Sequence, residues 1–123
     1  MCAQALIVRF PAKQTLLDQH MADYGELLPH VFFSQAVNEP LIRLLRENGR
    51  RSSIRSYCDF IEEMHLSGDD EMKNVVDVTI LERLADDSAV WKQFGAYLSE
   101  PFRYYINHEV LEPNPLLRQV EPL

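Results

Sequence analysis

The sequence predicts an all-α fold, either a single-domain antiparallel helical bundle or a short HEAT-like helical array. Apolar residues recur at three- and four-residue steps along most of the chain, which is the spacing of one helix face. Short breaks separate these stretches, and helices joined by short connections pack as antiparallel neighbours. A chain of 123 residues, 46% of them hydrophobic, suffices for one core. A regular repeat period is absent, so the HEAT-like array is a geometric analogy.

The first predicted helix covers residues 11–28 and has a proline, Pro11, near its start. Its apolar face consists of Leu16, Leu17, Met21, Tyr24, Leu27 and Leu28. Pro29 disfavours helical geometry at the residue before it, and an aromatic run follows. The conformation of residues 27–37 is therefore left open, since a buried turn and a short extended segment both fit.

Two further helices are predicted in the middle of the chain. Asn38 is expected to cap the first of them, and Gly49 follows its end. Ser52 or Ser53 is expected to cap the second, whose apolar residues keep helical spacing until a serine–glycine pair ends it at residues 67–68.

Three consecutive acids, residues 69–71, precede the next apolar stretch and allow two interpretations. A calcium loop needs alternating oxygen ligands, but Met72 and Lys73 occupy the positions where further ligands are required. Carboxylates in the first turn of a helix accept free N–H groups and complement the helix dipole, so the sequence favours a cap over a metal site. The helix that follows, up to Leu84, is apolar nearly all round, and we expect it to pack on several sides at the centre of the domain.

The last predicted helix starts at residues 86–88, where two aspartates and a serine offer a cap, and its apolar stripe runs to Pro101. Residues 102–111 fit either another helix or an extended segment. Residues 113–123 contain three prolines and are expected to form a proline-rich tail on the surface. A single helical domain is therefore predicted for residues 1–112.

Charge and cysteine content restrict the partners and the compartment. The chain carries 12 basic and 19 acidic side chains, a formal net charge of −7, which opposes binding to nucleic acid or an anionic membrane and favours a basic protein partner. Two cysteines, Cys2 and Cys58, are too few for a disulfide framework. The first residues lack a basic leader and a long apolar run, so we expect neither a secretory signal nor a membrane span and predict a cytoplasmic protein.

The chain carries no recognisable catalytic motif. Its four histidines do not pair at a zinc-binding spacing, and no glycine-rich phosphate loop, serine elbow or dinucleotide fingerprint occurs. Cys58 lies on an apolar helix face, where burial raises the pKa of a thiol and makes it a poor nucleophile. We therefore expect no catalytic residue, no metal and no cofactor, and the sequence favours a role other than catalysis.

Two clusters of charge follow each other in the middle of the chain. The first holds five arginines, which we interpret as a solvated face in preference to an anion-binding patch: Arg43, Arg46, Arg50, Arg51 and Arg55. The second, here named the acidic pole, consists of Glu62, Glu63, Asp69, Asp70 and Glu71. A localised negative field speeds the capture of a positively charged partner, so the acidic pole is the predicted protein-binding surface, against the alternative of ordinary solubility.

Two polar residues in apolar surroundings, His30 and Asp77, define an alternative ligand-binding or structural site. Asp77 lies close to the apolar face of its helix, so it is expected to be a partly buried carboxylate. An enzyme or ligand-binding protein would use a small pocket near these two residues, with Tyr104 or Tyr105. A third alternative is a homodimer formed through the aromatic residues of segment 102–106.

Five short stretches resemble an uncharacterised family of small all-helical bacterial proteins. They are LLPHVFF at 27–33, FIEEM at 60–64, SGDDE at 67–71, NVV at 74–76 and LERL at 81–84. Some proteins similar to this family are grouped with polymorphic-toxin immunity proteins. The resemblance implies a bacterial origin, a helical fold and a protein-binding role, and it carries no catalytic residue over to this chain. Combined with the acidic charge, it suggests an immunity protein that binds a basic toxin.

Overall fold

The computed structural model describes residues 2–110, which form seven helices and no strand, so the predicted all-α fold is confirmed. The helices are named α1 (Cys2–Arg9), α2 (Gln14–Tyr24), α3 (29–46), α4 (Arg51–Ser67), α5 (70–85), α6 (Ser88–Gly95) and α7 (100–110). The predicted proline-rich tail, residues 113–123, lies outside the described residues.

The first two helices differ from the predicted single helix over residues 11–28. α1, which the sequence did not predict, packs on α4, where the ring of Phe10 stacks on that of Tyr57 with centroids 4.8 Å apart. A 3-10 turn, Pro11–Lys13, leads into α2. α2 ends at Gly25, whose left-handed conformation (φ 72°) a residue with a Cβ adopts only at a cost, so the predicted end at residue 28 is too late.

α3 is one continuous helix, in which Pro29–Phe33 is followed by a π-helical segment, Ser34–Asn38, and then by Glu39–Arg46. The predicted cap at Asn38 is wrong, because this residue has helical φ and ψ angles of −62° and −52° and its side chain caps nothing. Asn38 is instead buried, and its Nδ2 donates to the carbonyl oxygen of Thr79 at 3.1 Å. The helix starts at Pro29, ten residues before the start that a cap at Asn38 would give, and the added residues Phe32 and Phe33 are buried.

α4 starts at Arg51 and receives no side-chain cap, so Ser52 and Ser53 both lie inside the helix and the predicted serine cap is wrong. The helix ends at Ser67 as predicted. Gly68 follows, and a Cβ there would collide with the backbone carbonyl oxygen of Met64, so only glycine allows the chain to turn this closely into α5.

α5 begins as predicted, since the carboxylate of Asp69 accepts the N–H of Met72 at 2.9 Å. After Asp70–Asn74 the helix contains a π-helical segment, Val75–Leu81, and ends with Glu82–Ala85. α5 packs against α3, α4 and α6. Val78 is nevertheless 48% exposed, so one face of the helix is open to solvent.

The last two helices start with side-chain caps. Asp87 accepts the N–H groups of Ala89 (3.0 Å) and Val90 (3.2 Å), which confirms the predicted start of α6. α6 ends at Gly95, before the predicted limit at Pro101. Segment 102–111, left open by the sequence, is helical as far as residue 110.

Each helix within residues 2–110 is too short or too polar to cross a lipid bilayer.

Candidate protein-binding groove

An open groove of about 590 Å³ lies between α3 and α5. Its walls are formed by the first part of α3 and by the last part of α5 with Asp86, the residue after this helix. The lining residues are His30, Val31, Ser34, Gln35, Glu39, Val78, Thr79, Glu82, Arg83 and Asp86. On each helix these residues recur at steps of three to four, so they occupy one face of it. The groove is therefore a continuous strip bounded by two helix faces.

The two walls run in the same direction and are linked at two levels. His30 Nδ1 and Thr79 Oγ1 form a hydrogen bond between α3 and α5. One turn further along both helices, Arg83 Nη1 donates to Ser34 Oγ at 3.3 Å. Each bond joins residues 49 positions apart in sequence, so the pairing advances by the same number of residues along both helices. The two helices are therefore parallel and are held in one register.

Both walls contain a π-helical segment, Ser34–Asn38 in α3 and Val75–Leu81 in α5. A π-helix bonds each N–H to the carbonyl five residues earlier, and such segments occur frequently at functional sites. The hydrogen bond from Asn38 Nδ2 to the Thr79 carbonyl joins one π-helical segment directly to the other.

The groove combines exposed apolar side chains with negative charge. Val31 and Val78, one from each wall, are 37% and 48% exposed. The carboxylates of Glu39, Glu82 and Asp86 follow the valines along the two walls, and among the described lining residues Arg83 carries the one guanidinium. The arrangement suits a ligand that presents apolar surface towards one end of the groove and positive charge towards the other.

The predicted pair of His30 and Asp77 does not form one site. His30 lines the groove, whereas Asp77 lies outside its lining and contacts Tyr105 of α7 instead. The hydroxyl of Tyr105 donates to the carboxylate of Asp77. The hydroxyl oxygen lies 3.0 Å from Oδ1 of Asp77 and 2.9 Å from Oδ2. Tyr104 is 63% exposed and stacks on His108 instead.

Asp77, Tyr105 and His65 form a partly buried polar cluster that joins α5, α7 and α4. Burial raises the pKa of Asp77, against the smaller lowering effects of the Tyr105 hydrogen bond and of the charges on His65 and Lys73. Burial likewise lowers the pKa of His65, whose ring centroid lies 3.7 Å from that of Tyr105. The adjoining cavity, lined by His65 and Phe102, measures only about 70 Å³, so it is too small for a typical substrate.

The acidic pole is divided among separate contacts. Glu62 accepts hydrogen bonds from the backbone N–H (3.2 Å) and the hydroxyl of Ser99, and Glu63 forms an ion pair with Arg9. Asp69 caps α5. The remaining two members, Asp70 and Glu71, are exposed in the first turn of α5.

The arginine cluster is also divided. Arg46 forms an ion pair with Asp87 at 3.0 Å, and Arg55 donates to the carbonyl oxygen of Tyr97.

Cys58 is fully buried, and burial raises the pKa of its thiol to about 12, as its position on an apolar helix face predicts. In the part of the chain that the structure describes, no three histidine, cysteine, aspartate or glutamate side chains are arranged to hold a metal ion.

The sequence pointed to one residue of the groove, His30, through the alternative small pocket near His30 and Asp77, but not to the opposing helix faces. The apolar character of α5 on nearly every face was interpreted as burial on all sides. Val78 and the opposing Val31 come together only through the parallel packing of two helices that are distant in sequence.

The fold and the groove define a small all-α protein with an amphipathic cleft between parallel helices. The chain belongs to the family described as "Domain of unknown function (DUF7674)", whose sequence model matches residues 3–112. This match extends well beyond segment 27–84, where the sequence resemblance was found, and identifies an uncharacterised family as expected. No curated protein and no solved structure gives a significant match to the chain.

Proposed function

We propose that the protein is a protein-binding module that holds a basic amphipathic helix of another protein in the groove between α3 and α5. The observation that carries the proposal is the pair of exposed valines, Val31 and Val78, on the two walls of a groove whose lining also holds the carboxylates of Glu39, Glu82 and Asp86. An amphipathic helix docks by laying its apolar face in such a groove.

Burial of apolar surface would supply the affinity. Covering the exposed parts of Val31 and Val78 removes apolar area from water, which is favourable at roughly 25 cal/mol per Å². The carboxylates of Glu39 and Asp86, further along the groove, are exposed, so they are accessible to lysine or arginine side chains of the partner. The net charge of −7 adds long-range attraction for the same partner.

The groove is a better candidate surface than the acidic pole. Glu62, Glu63 and Asp69 already have intramolecular partners, and a ligand that bound them would have to compete with those contacts. The groove residues instead present apolar area and charge together. The basic partner expected from the sequence is retained, and its binding position moves to the groove.

An immunity protein that binds a basic toxin is one role within this class. Its support is the sequence resemblance together with the acidic charge of the chain.

The test compares surface variants in the capture of partners from cells that express the protein, followed by affinity measurement with each purified partner. Val78→Lys places a positive charge in the groove, and Val8→Lys makes the same change at a valine that is 83% exposed and outside it. We expect Val78→Lys to weaken binding of a basic partner at least roughly tenfold and Val8→Lys to leave it unchanged. We expect Glu39→Gln to slow association and to reduce its dependence on salt.

Asp70→Lys, which reverses a charge in the acidic pole, separates the two surfaces. Loss of binding in Asp70→Lys with normal binding in Val78→Lys would assign the interaction to the acidic pole and reject the groove. Equal binding by all of the variants would reject both surfaces.

A further inference from the structure

A second cavity, of about 430 Å³, lies between the start of α4 and the end of α6. It is separate from the α3–α5 groove and has the opposite charge. Its lining residues are Arg51, Ser52, Arg55, Gln93, Ala96 and Tyr97, and they include no acid in a chain with a net charge of −7.

Two arginines, Arg51 and Arg55, line this cavity. Arg51 and Arg55 are one turn apart on α4, so their side chains share a face of the helix. Arg55 is held in place by Tyr97, because it donates to the Tyr97 carbonyl oxygen and its guanidinium carbon lies 5.3 Å from the ring centroid. Neither arginine forms an ion pair with any of the side chains that the structure describes.

Uncharged polar residues line the cavity beside the two arginines. They are Ser52 of α4 and Gln93 of α6. The 17-residue helix α4 also begins at Arg51 without a side-chain cap, so the positive end of its dipole and its free first-turn N–H groups lie at the end of the helix that lines the cavity.

We propose that this cavity binds the phosphate group of a small molecule. A phosphate dianion matches two guanidinium charges, and its tetrahedral oxygens can accept from donors that approach from several directions. A carboxylate, which is planar and carries a single charge, would be satisfied by one arginine and would leave the second uncompensated. The cavity volume falls in the range of small-molecule sites.

The test is a titration of the full-length ¹⁵N-labelled protein with inorganic phosphate, followed by two-dimensional NMR, with sodium acetate at equal ionic strength as the comparison. Arg51→Gln removes one cation of the cavity, and Arg43→Gln makes the same charge change at an exposed arginine of α3 outside it. We expect saturable shifts of the backbone amides of residues 51–53 with phosphate and not with acetate. We expect Arg51→Gln to weaken phosphate binding by roughly tenfold or more and Arg43→Gln to leave it unchanged.

Three results would overturn the proposal: no saturable shift with phosphate, equal affinity for acetate, or equal affinity of the Arg51→Gln and Arg43→Gln proteins. If Arg51→Gln lost the native spectrum, Gln93→Ala would replace it, since Gln93 lines the same cavity from α6 and the loss of its amide should also weaken phosphate binding. Unchanged phosphate affinity in Gln93→Ala would then overturn the proposal.

Discussion

Tyr105 and Tyr104 are adjacent in sequence and differ completely in their contacts. The Tyr105 hydroxyl donates to the half-buried carboxylate of Asp77, whereas Tyr104 is 63% exposed. We therefore expect Tyr105→Phe to lower the free energy of unfolding by about 1 kcal/mol, since solvent screening keeps the loss below that of a fully buried charged hydrogen bond. Urea denaturation at pH 7 measures this change. Tyr104→Phe is the matched control, and equal stability of the two variants would show that the hydrogen bond contributes nothing.

The thiol of Cys58 is expected to be unreactive in the native protein. With its pKa raised to about 12, only on the order of 10⁻⁴ of the thiol is ionised at pH 8, and the side chain is fully buried. In a Cys2→Ser variant, a thiol-specific chromogenic reagent should modify Cys58 only as fast as the protein unfolds, and immediately in strong denaturant. Modification of the native protein at the rate of an exposed thiol would contradict this prediction.

At the scale of the element, two adjacent aspartates at the start of α5 have different roles. Asp69 accepts the Met72 N–H as the N-cap, and Asp70 occupies the first turn of the helix. Asp69→Ala should therefore lower the free energy of unfolding by about 1 kcal/mol, and Asp70→Ala should lower it by less, because only its weaker interaction with the helix dipole is lost. Thermal or urea denaturation of both variants measures the difference, and a greater loss in Asp70→Ala would argue against the cap.

At the scale of the whole molecule, the Asp77 cluster, which joins three helices, makes the free energy of unfolding depend on pH. Burial raises the pKa of Asp77, so the folded protein holds this proton more tightly than the unfolded chain does. The resulting stabilisation is complete below the ordinary pKa of aspartate and is lost as the pH rises through the raised pKa. His65, whose pKa is lowered, contributes in the opposite direction as the pH rises towards 6.5.

The measurement is the free energy of unfolding of the native protein and of Asp77→Asn in urea over a series of pH values. We expect the stability of the native protein relative to Asp77→Asn to decrease as the pH rises from 3 to 7. A difference that stayed constant or increased with pH would contradict the raised pKa of Asp77.

Local patterns in the sequence determined the all-α fold, the caps at Asp69 and Asp87 and the burial of Cys58. Each of these depends on residues within about one helical turn or on one helix face, where the spacing of apolar and capping residues already specifies the outcome. The uncharacterised family was likewise recognisable from short stretches of sequence.

Only the tertiary structure decided what Asn38, Val78 and Asp77 do. Asn38 has the chemistry of a cap, but burial and the Thr79 carbonyl keep it inside a continuous helix. Val78 belongs to an apolar helix, yet it lines a groove whose other wall is formed by a helix about 50 positions away in sequence. Asp77 accepts a hydrogen bond from Tyr105, which lies 28 positions away. The physical reason is that helix periodicity assigns a residue to a face, whereas the packing of distant helices decides what that face meets.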